Sequence, residues 1–303
     1  MASVPGTVVY KSRRNVRVDA AGTTYLCSLR GKLRKRDAGQ STIAVGDQVL
    51  ISATSASEGV VEEILPRQSE HVRHTAGGKP VVVASNLDQV LLVLSAGSPP
   101  PRWTLVDRVL VAAHRQELDP AICINKWDLV AHDEVAREEI RTRAALYGEL
   151  GYPTFCVSAA TGEGVDPMIA WLRDRLTVFT GHSGVGKSTL LNRLNDELTI
   201  VTGELSESTG KGKHTTTAVT LYGMPFGGFV ADTPGFREFA LWGVQPAEIG
   251  RFFLEFQHHL GSCRFSNCLH SGEPDCAVTT AVERGEISKE RYEGYLGILR
   301  AYR

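Results

Sequence analysis

The segment 181–189, GHSGVGKST, constrains the fold more than any other part of the chain. It matches the pattern G-x-x-x-x-G-K-[ST] and lies between a short apolar segment, TVFT, and a segment with helical spacing, KSTLLNRLN. A strand, a glycine-rich turn and a helix in this order form a loop whose backbone N–H groups point at bound phosphates. This segment, called here the glycine loop, predicts an α/β domain that binds a phosphorylated ligand.

The chain around the glycine loop alternates between apolar segments and segments with helical spacing, which predicts a mostly parallel sheet with crossover helices. The apolar segments are VVVASNLDQVLLVLSA, AICIN, TFCVSA and TVFT. The helical segments are TLVDRVLVAAHRQELD, DEVAREEIRTRAALYGEL, VDPMIAWLRDRL and KSTLLNRLN. TAVTLYGMPFGGFVADT predicts a hairpin, and helices return in PAEIGRFFLEF and SKERYEGYLGILRAYR.

Each position of the glycine loop has an expected role. The glycines let the backbone curl around the phosphates, and the N-terminus of the following helix adds partial positive charge. We expect Lys187 to reach the β- and γ-phosphates and Ser188 to bind Mg²⁺. The loop's predicted nucleotide-binding residues are Gly181, Ser183, Gly184, Val185, Gly186, Lys187, Ser188 and Thr189.

Two polar segments after the glycine loop fit the rest of a phosphate site. DTPG, at 232–235, ends an apolar segment, so we expect Asp232 to hold Mg²⁺ and the Gly235 N–H to sense the γ-phosphate. The polar loop before it contains three consecutive threonines at 215–217. One of them is expected to bind Mg²⁺ when a nucleoside triphosphate is bound, and Thr216 is favoured.

The segment 125–128, NKWD, follows the apolar segment AICI and is typical of guanine recognition. The carboxylate of Asp128 can accept hydrogen bonds from the N1 and N2 donors of guanine, a pair that adenine lacks. We expect Asn125 to contact the base and to tether neighbouring loops, and the stem of Lys126 to lie along the ring. The alternative is a surface turn in which Asp128 caps a helix.

The segment 158–160, SAA, follows the apolar segment TFCV. The Ala159 N–H is expected to meet the guanine carbonyl oxygen, and Ser158 to brace the loop.

The guanine motif therefore precedes the phosphate motif, the reverse of the usual order. Because ligands bind at the carboxyl ends of parallel strands, a chain with rejoined termini and a new break can still assemble both ends of one site.

Residues 1 to about 70 contain five short segments rich in β-branched residues and no helical period, which favours an OB-like barrel, with an SH3-like barrel as the alternative. Basic residues dominate the start of the chain, and they fit either a phosphate backbone or a solvated loop. They are Lys11, Arg13, Arg14, Arg17, Arg30, Lys32, Arg34, Lys35 and Arg36.

Three of the six cysteines lie close together in sequence beside a histidine. Three thiolates and one imidazole suit a tetrahedral, structural Zn²⁺ with no open coordination position. The four expected ligands are Cys263, Cys268, His270 and Cys276. Cys27, Cys123 and Cys156 are expected to be buried thiols.

The bulk composition fits an ordinary globular protein of two domains or so, with 303 residues and a formal net charge of -1. We expect no membrane span and no secretory signal, because no apolar run reaches about 18 residues. Metal-binding rather than disulfide-bonded cysteines indicate a reducing, cytoplasmic location.

These motifs together resemble the circularly permuted GTPase family called ribosome small subunit-dependent GTPase A (RsgA, or YjeQ). ASNLDQVLLVLSA, GKHTTT, DTPGFREF and the Cys/His cluster carry the resemblance, which covers nearly the whole chain. It implies an OB-fold RNA-binding domain (1–72), a permuted GTPase domain (73–240) and a mainly helical zinc domain (241–303). The chain departs from the family's usual short loop where the helix VDPMIAWLRDRL meets the strand TVFT.

The resemblance also implies a function: Mg²⁺-dependent GTP hydrolysis stimulated by the small ribosomal subunit, late in its assembly, with hydrolysis triggering release. The position after DTPG is Phe236, which cannot orient a water, and the nearest polar candidate for that role is His214, in the loop before the hairpin. The resemblance assigns His214 that role, beside Lys187 and Thr216; contact with RNA or solvent is the alternative. Further alternatives are an RNA-binding assembly checkpoint with incidental hydrolysis, and a P-loop ATPase or kinase. We expect a monomer that binds GTP, GDP and small-subunit rRNA.

Overall fold

The structure, a computed structural model, describes residues 3–12, 15–34, 43–74, 80–198, 200, 219–232 and 244–302. The chain divides into two compact units. The first consists of Met1–Leu91 and Gly164–Arg237, and the second of Leu92–Glu163 and Glu238–Arg303. The domain boundaries at residues 72 and 240 stay predictions.

The first unit begins with a closed five-stranded barrel. β1 pairs with both β2 and β4, β3 pairs in parallel with β5, and β4 pairs with β5, so the ring closes in the order β1-β2-β3-β5-β4. The prediction of an OB-like barrel is confirmed. The strands are β1 Val4–Lys11, β2 Val16–Ala20, β3 Thr23–Leu29, β4 Gln48–Ala53 and β5 Glu58–Ile64.

The barrel interior is filled by alternate side chains of these strands. In β2, for example, Val16, Val18 and Ala20 are buried while Arg17 faces solvent. This period of two is what a strand with one buried face requires. Val49 and Val61 belong to the same apolar cluster.

The turn before β4 contains a buried carboxylate that joins the barrel to the next part of the chain. Asp47 is fully buried, and its oxygens accept hydrogen bonds from Arg67 Nε at 2.6 Å, from Ser85 Oγ at 2.6 Å and from the Ala44 N–H at 2.7 Å. Gly46 has φ +90°, and a Cβ there would lie 2.0 Å from the carbonyl oxygen of Ser85. Only glycine fits this close approach.

The apolar segment that starts near residue 80 forms two strands rather than one. β6 (Glu70–His74) and β7 (Pro80–Ser85) form a separate antiparallel pair. β8 (Gln89–Ser95) follows after a turn at Asn86, where φ is +53°. β8 is buried along its whole length, as expected for a strand covered on both faces.

The described part of the first unit also contains the strand–loop–helix segment and the predicted hairpin. β11 (Leu176–Thr180) pairs in parallel with β13 (Phe229–Asp232), and β12 (Thr220–Gly223) pairs antiparallel with β13. β1 of the barrel pairs with β12 at Tyr10 and Thr220. α4 (Lys187–Leu194) follows the glycine loop.

The helix before β11 is shorter than the sequence predicts. α3 (Val165–Leu172) ends four residues earlier than the helical segment VDPMIAWLRDRL, because the backbone turns at Asp174, where φ is +57°. Gly227 and Gly228 pack against this connection, where a Cβ would lie 1.9 Å from Asp174 Oδ1 and 2.4 Å from the Arg175 carbonyl oxygen, respectively. The abrupt connection is therefore a tight turn of residues 173–175.

The second unit continues from β8 with alternating helices and strands. β9 and β10 pair in parallel, and the backbone N–H of Ala96, after β8, donates to the Asn125 carbonyl at 2.8 Å. The helical and strand predictions for this part are confirmed. The elements are α1 Trp103–Arg115, β9 Asp119–Asn125, α2 Glu134–Glu149 and β10 Thr154–Cys156.

The C-terminal part of this unit is mainly helical. Residues predicted as one helix form two 3-10 helices, Pro246–Phe252 and Leu254–Phe256. The short helix α5 (Ala277–Glu283) was not predicted, and α6 (Lys289–Arg300) was. None of the helices in the described ranges is long and apolar enough to cross a membrane.

A buried ion cluster joins α6 to α1. Arg291, 2% exposed, donates to Asp107 on α1 and, at 2.6 Å, to Glu255. The guanidinium lies 4.5 Å from the centre of the Phe253 ring, and Tyr147 Oη donates to Asp107 at 3.1 Å. The C-terminal helix is thus attached to α1 through charges that are paired and hydrogen-bonded, as buried charges must be.

Candidate nucleotide-binding loops and metal centre

In the second unit, β9 ends at Asn125, the first residue of NKWD. Asn125 is fully buried, and its Oδ1 accepts a hydrogen bond from the Ala159 N–H at 3.0 Å. Asn125 therefore ties the NKWD turn (residues 125–128) to the SAA loop (residues 158–160), as its expected tethering role requires. The Ala159 N–H, which is expected to meet a guanine carbonyl, donates in this structure to the side-chain amide of Asn125.

The backbone reverses directly after Asn125. Lys126 has a left-handed conformation with φ 62°, and its Nζ donates to the carbonyl of Ser98. A 3-10 helix, Trp127–Val130, follows, and it carries Asp128 at its second position. The Trp127 side chain is buried, so an aromatic ring anchors the turn in the protein interior.

Asp128 and Ser158 join the same two loops a second time. Ser158 Oγ donates to Asp128 Oδ1 over 2.5 Å and accepts from the Thr161 N–H at 3.1 Å. Ser158 is fully buried, whereas Asp128 is half-buried. A carboxylate offers about four acceptor positions, so Asp128 retains capacity for two further donors such as N1 and N2 of guanine.

In the first unit, the glycine loop connects β11 to α4. Gly184 (φ +82°) and Gly186 (φ +94°) have left-handed conformations that other residues rarely adopt. Lys187 Nζ donates to the carbonyls of Gly181 and His182, each at 2.8 Å, so this side chain folds back across the loop.

The remaining residues of the loop differ in exposure. Val185 and Ser188 are buried, Ser183 is exposed, and Thr189 is half-buried. A glycine-rich turn entering a helix N-terminus matches an anion-binding loop.

Several predicted residues lie at or beyond the limit of the described chain. Asp232 is the last residue of β13, as the sequence predicts, and its backbone is described while its side chain is not. His214, Thr216 and Gly235 lie outside the described residues, as do Thr215 and Thr217.

The four predicted metal ligands converge in the C-terminal part of the second unit. The ligand atoms of Cys263, Cys268, His270 and Cys276 all lie within 4.8 Å of one another. His270 Nδ1 is 3.5 Å from Cys263 Sγ and 3.4 Å from Cys276 Sγ, and these two sulfurs are 3.9 Å apart. Ligand atoms in a tetrahedral zinc site are about 3.5–3.8 Å apart, so the cluster can hold a metal ion.

Burial shifts the protonation of His270 and Cys268 in ways that bear differently on metal binding. Burial lowers the pKa of His270, which keeps its imidazole neutral and able to coordinate. Burial, with a contribution from the neighbouring Cys276, raises the pKa of Cys268 to about 12. The thiol therefore needs a nearby cation to ionise at neutral pH.

Residues that were not predicted hold the ligand loop in place. Tyr292 Oη donates to the His270 carbonyl at 2.9 Å, and Glu273 accepts from the backbone N–H groups of Leu269 and Ser271. His270 itself has φ 54°. The sequence signal for this bracing is Glu273, one of two acidic residues between the third and fourth ligands.

The basic residues at the start of the chain are partly engaged within the barrel. Lys11 Nζ donates to the Ile43 carbonyl, and burial lowers its pKa. Arg17 is exposed and lies over the ring of Tyr10, while Arg30 is exposed and pairs with Glu62. Among the basic residues of this segment whose side chains the structure describes, Arg17 and Arg30 are exposed, and Arg30 is paired with Glu62.

The fold is that of a circularly permuted P-loop GTPase, with the strand that leads to NKWD preceding the strand that leads to the glycine loop. A family model described as RsgA GTPase matches residues 64–242. The chain belongs to the RsgA GTPase family and is a GTPase.

Curated relatives extend the match to nearly the whole chain. The small ribosomal subunit biogenesis GTPase RsgA of Actinobacillus pleuropneumoniae serotype 5b is 39% identical over 96% of this chain and 83% of its own length. The protein of the same name from Gemmatimonas aurantiaca is 40% identical over 91% of this chain and 89% of its own.

Two solved structures share the fold. YjeQ from Thermotoga maritima has a TM-score of 0.80 and 34% identity, covering 99% of this chain and 98% of that chain. YloQ, described as a circularly permuted GTPase, has a TM-score of 0.77 and 32% identity. The match covers 99% of this chain and 95% of that chain.

Proposed function

We propose that this protein hydrolyses GTP to GDP and phosphate while bound to the small ribosomal subunit, late in the subunit's assembly. Binding to the subunit stimulates hydrolysis, and hydrolysis releases the protein. The names of its relatives, small ribosomal subunit biogenesis GTPases, support this partner. The proposal includes a cytoplasmic, monomeric protein divided at residues 72 and 240.

The guanine base binds at the NKWD turn and the SAA loop. Asp128 accepts from N1 and N2, Lys126 lies along the ring, and Asn125 and Ser158 hold the two loops together. The hydrogen bonds of Asn125 to Ala159 and of Ser158 to Asp128 support this assignment, because they preorganise the carboxylate before the base arrives.

The phosphates bind the backbone N–H groups of the glycine loop, and Lys187 neutralises the β- and γ-phosphates. Mg²⁺ would be held by Ser188, Thr216 and Asp232, and when bound it neutralises charge that develops on the phosphates. The burial of Ser188 in the first turn of α4 supports its assignment. The Gly235 N–H senses the γ-phosphate.

Hydrolysis requires a water in line with the bond between the γ-phosphorus and the β–γ bridging oxygen. The attacking oxygen bonds to phosphorus, the bridging oxygen leaves with GDP, and the water's proton goes to the released phosphate. His214 orients this water, and contact with the subunit completes its alignment. A structural Zn²⁺ bound by Cys263, Cys268, His270 and Cys276 shapes the C-terminal domain, which contacts rRNA together with the basic residues of the barrel.

The observation that carries the proposal is the hydrogen bond between Asp128 and Ser158, and an Asp128→Asn variant tests it. Xanthine has a carbonyl where guanine has its 2-amino group, so an asparagine amide pairs with xanthine and leaves guanine mismatched. We expect small subunits to stimulate GTP hydrolysis by the wild type and XTP hydrolysis by the variant.

Asp133→Asn is the matched control. Asp133 caps α2 through the Ala136 N–H, and asparagine caps helices equally well. Its preference for GTP should not change. An Asp128→Asn variant that kept the wild-type preference for GTP over XTP would contradict the guanine assignment, and unchanged turnover with added subunits would contradict the proposed partner.

A further inference from the structure

Arg137, in the first turn of α2, contacts Trp127 of the NKWD turn and approaches Glu163, which follows the SAA loop. Its guanidinium lies 5.0 Å from the centre of the Trp127 ring, and its Nη1 donates to the Ala131 carbonyl at 3.4 Å. Its Nη2 lies 4.0 Å from Glu163 Oε1. Trp127 and Ala131 belong to the chain around the NKWD turn, and Glu163 follows the SAA loop.

These contacts lead directly to the two side chains that carry the guanine assignment. Trp127 precedes Asp128 in the same 3-10 helix. The backbone N–H of Trp127 donates to the Val157 carbonyl at 3.0 Å. Glu163 accepts the Ser158 N–H at its own carbonyl, at 2.9 Å. Arg137 therefore links the NKWD turn to Glu163, whose carbonyl in turn holds the Ser158 N–H of the SAA loop.

The chemistry of the side chain suits this bridging role. A guanidinium is planar, so it can lie against an aromatic ring while its edge donates in two directions. The Arg137 side chain is 19% exposed, and in the described part of the chain its Nε is buried without a hydrogen-bond partner. Burying that group costs free energy, a cost that an arginine serving only to solvate α2 would not carry.

We propose that Arg137 is a positioning residue for guanine recognition. By holding Trp127 and Glu163 together, it keeps the Asp128 carboxylate aligned with the N1 and N2 donors of the base. This inference rests on the proposed function, specifically on the assignment of Asp128 and Ser158 to guanine.

Arg141 is a matched control on the same helix. It also lies over the Trp127 ring, at 5.7 Å, but its side chain is 47% exposed and its ion pairs are with Glu134 and Glu138 of α2 itself. Loss of Arg141 removes a cation from the tryptophan without removing a bridge between the loops.

The experiment compares the affinities of GDP and IDP for the wild type, Arg137→Met and Arg141→Met by titration calorimetry. Inosine lacks the 2-amino group, so the ratio of the two dissociation constants measures the second hydrogen bond to Asp128. For the wild type we expect a ratio of about tenfold or more, as for a hydrogen bond to a charged group. Because both ligands are titrated into the same preparation, partial unfolding of a variant cancels from the ratio.

Arg137→Met should lower this ratio by more than about threefold, and Arg141→Met by less than about twofold. A ratio for Arg137→Met within about threefold of the wild type would overturn the positioning role and leave the proposed function intact. An equal drop in both variants would also overturn it, because the effect would then come from the tryptophan alone. A wild type that binds GDP and IDP equally would overturn the guanine assignment and this inference with it.

Discussion

Ser158 Oγ donates a hydrogen bond to Asp128 Oδ1 over 2.5 Å, although 30 residues separate the two in the chain. The hydroxyl is itself fixed, because it accepts from the Thr161 N–H. One serine thus orients the carboxylate on which the guanine assignment depends.

Ser158→Ala should weaken GDP binding by about tenfold, because a hydrogen bond to a charged group contributes about 1.5–3 kcal/mol. Calorimetric titration with GDP measures this loss. Thr161→Ala is the control: Thr161 Oγ1 accepts from the Glu163 N–H at 3.2 Å in the same loop, and its backbone bond to Ser158 survives the change. Equal affinities for the wild type and Ser158→Ala would show that the serine does not orient Asp128.

Removal of the metal should destabilise the C-terminal part of the second unit. Without a cation, three thiols and an imidazole lie within 4.8 Å of one another and lose the bonds to a shared ion. We expect the purified protein to contain about one Zn²⁺ per chain by elemental analysis, and a chelator to lower its unfolding temperature.

Cys276→Ser should lose the metal, whereas Cys123→Ser, which changes a buried thiol on β9, should keep it. A metal-free preparation that unfolds at the same temperature as the zinc-loaded protein would argue against a structural role for the cluster.

Arg291→Met should lower the free energy of unfolding by about 3–5 kcal/mol, because it leaves the carboxylates of Asp107 and Glu255 buried without their cation. Chemical denaturation followed by tryptophan fluorescence measures the change. Arg264→Met removes an exposed pair with Asp275 and should cost about 0–1 kcal/mol. Similar losses in the two variants would mean that burial does not set the contribution of the Arg291 cluster.

Acid should destabilise the protein through His114 at the end of α1. Burial, and then the positive charge of Arg291, lower the pKa of His114, whose Nε2 lies 2.9 Å from Tyr152 Oη. The unfolded chain therefore binds a proton more readily than the folded one. The stability from this group is fully present above its ordinary pKa of about 6.5 and is lost as the pH falls below that value.

His114→Gln removes this titration. Its unfolding temperature should fall less than that of the wild type between about pH 7.5 and about pH 5.5, measured by differential scanning fluorimetry. Parallel curves for the two proteins would assign the acid sensitivity to other groups.

Much of this fold follows from local sequence patterns. Alternation in the barrel strands and apolar runs such as AICIN specify their elements because burial on one or both faces dictates residue type. The convergence of the Cys/His cluster was also predictable, since four soft or borderline ligand residues in a short segment have few other uses. The type of helix was harder to predict than its presence. In residues 246–256 a capping box at Gln245 and Glu248 starts a helix, but that helix continues only as 3-10 turns.

The contacts that support the site could not be predicted from the sequence. The bridge from Arg137 to Glu163 and the cluster of Arg291 with Asp107 join residues far apart in the chain, and no local period marks them. The hydrogen bond of the Ala159 N–H was not predicted either, because its acceptor is a buried amide 34 residues away.

The carboxylate of Asp47 sets a practical limit on dissecting this molecule. Two of its partners, Ala44 and Arg67, precede residue 72, but the third is the Ser85 hydroxyl, and the Ser85 N–H also donates to the Val45 carbonyl. A barrel excised at residue 72 would leave a buried anion missing a donor and an unpaired backbone carbonyl beside it. An excised barrel should therefore extend through Asn86, whose amide donates to the Gly46 carbonyl.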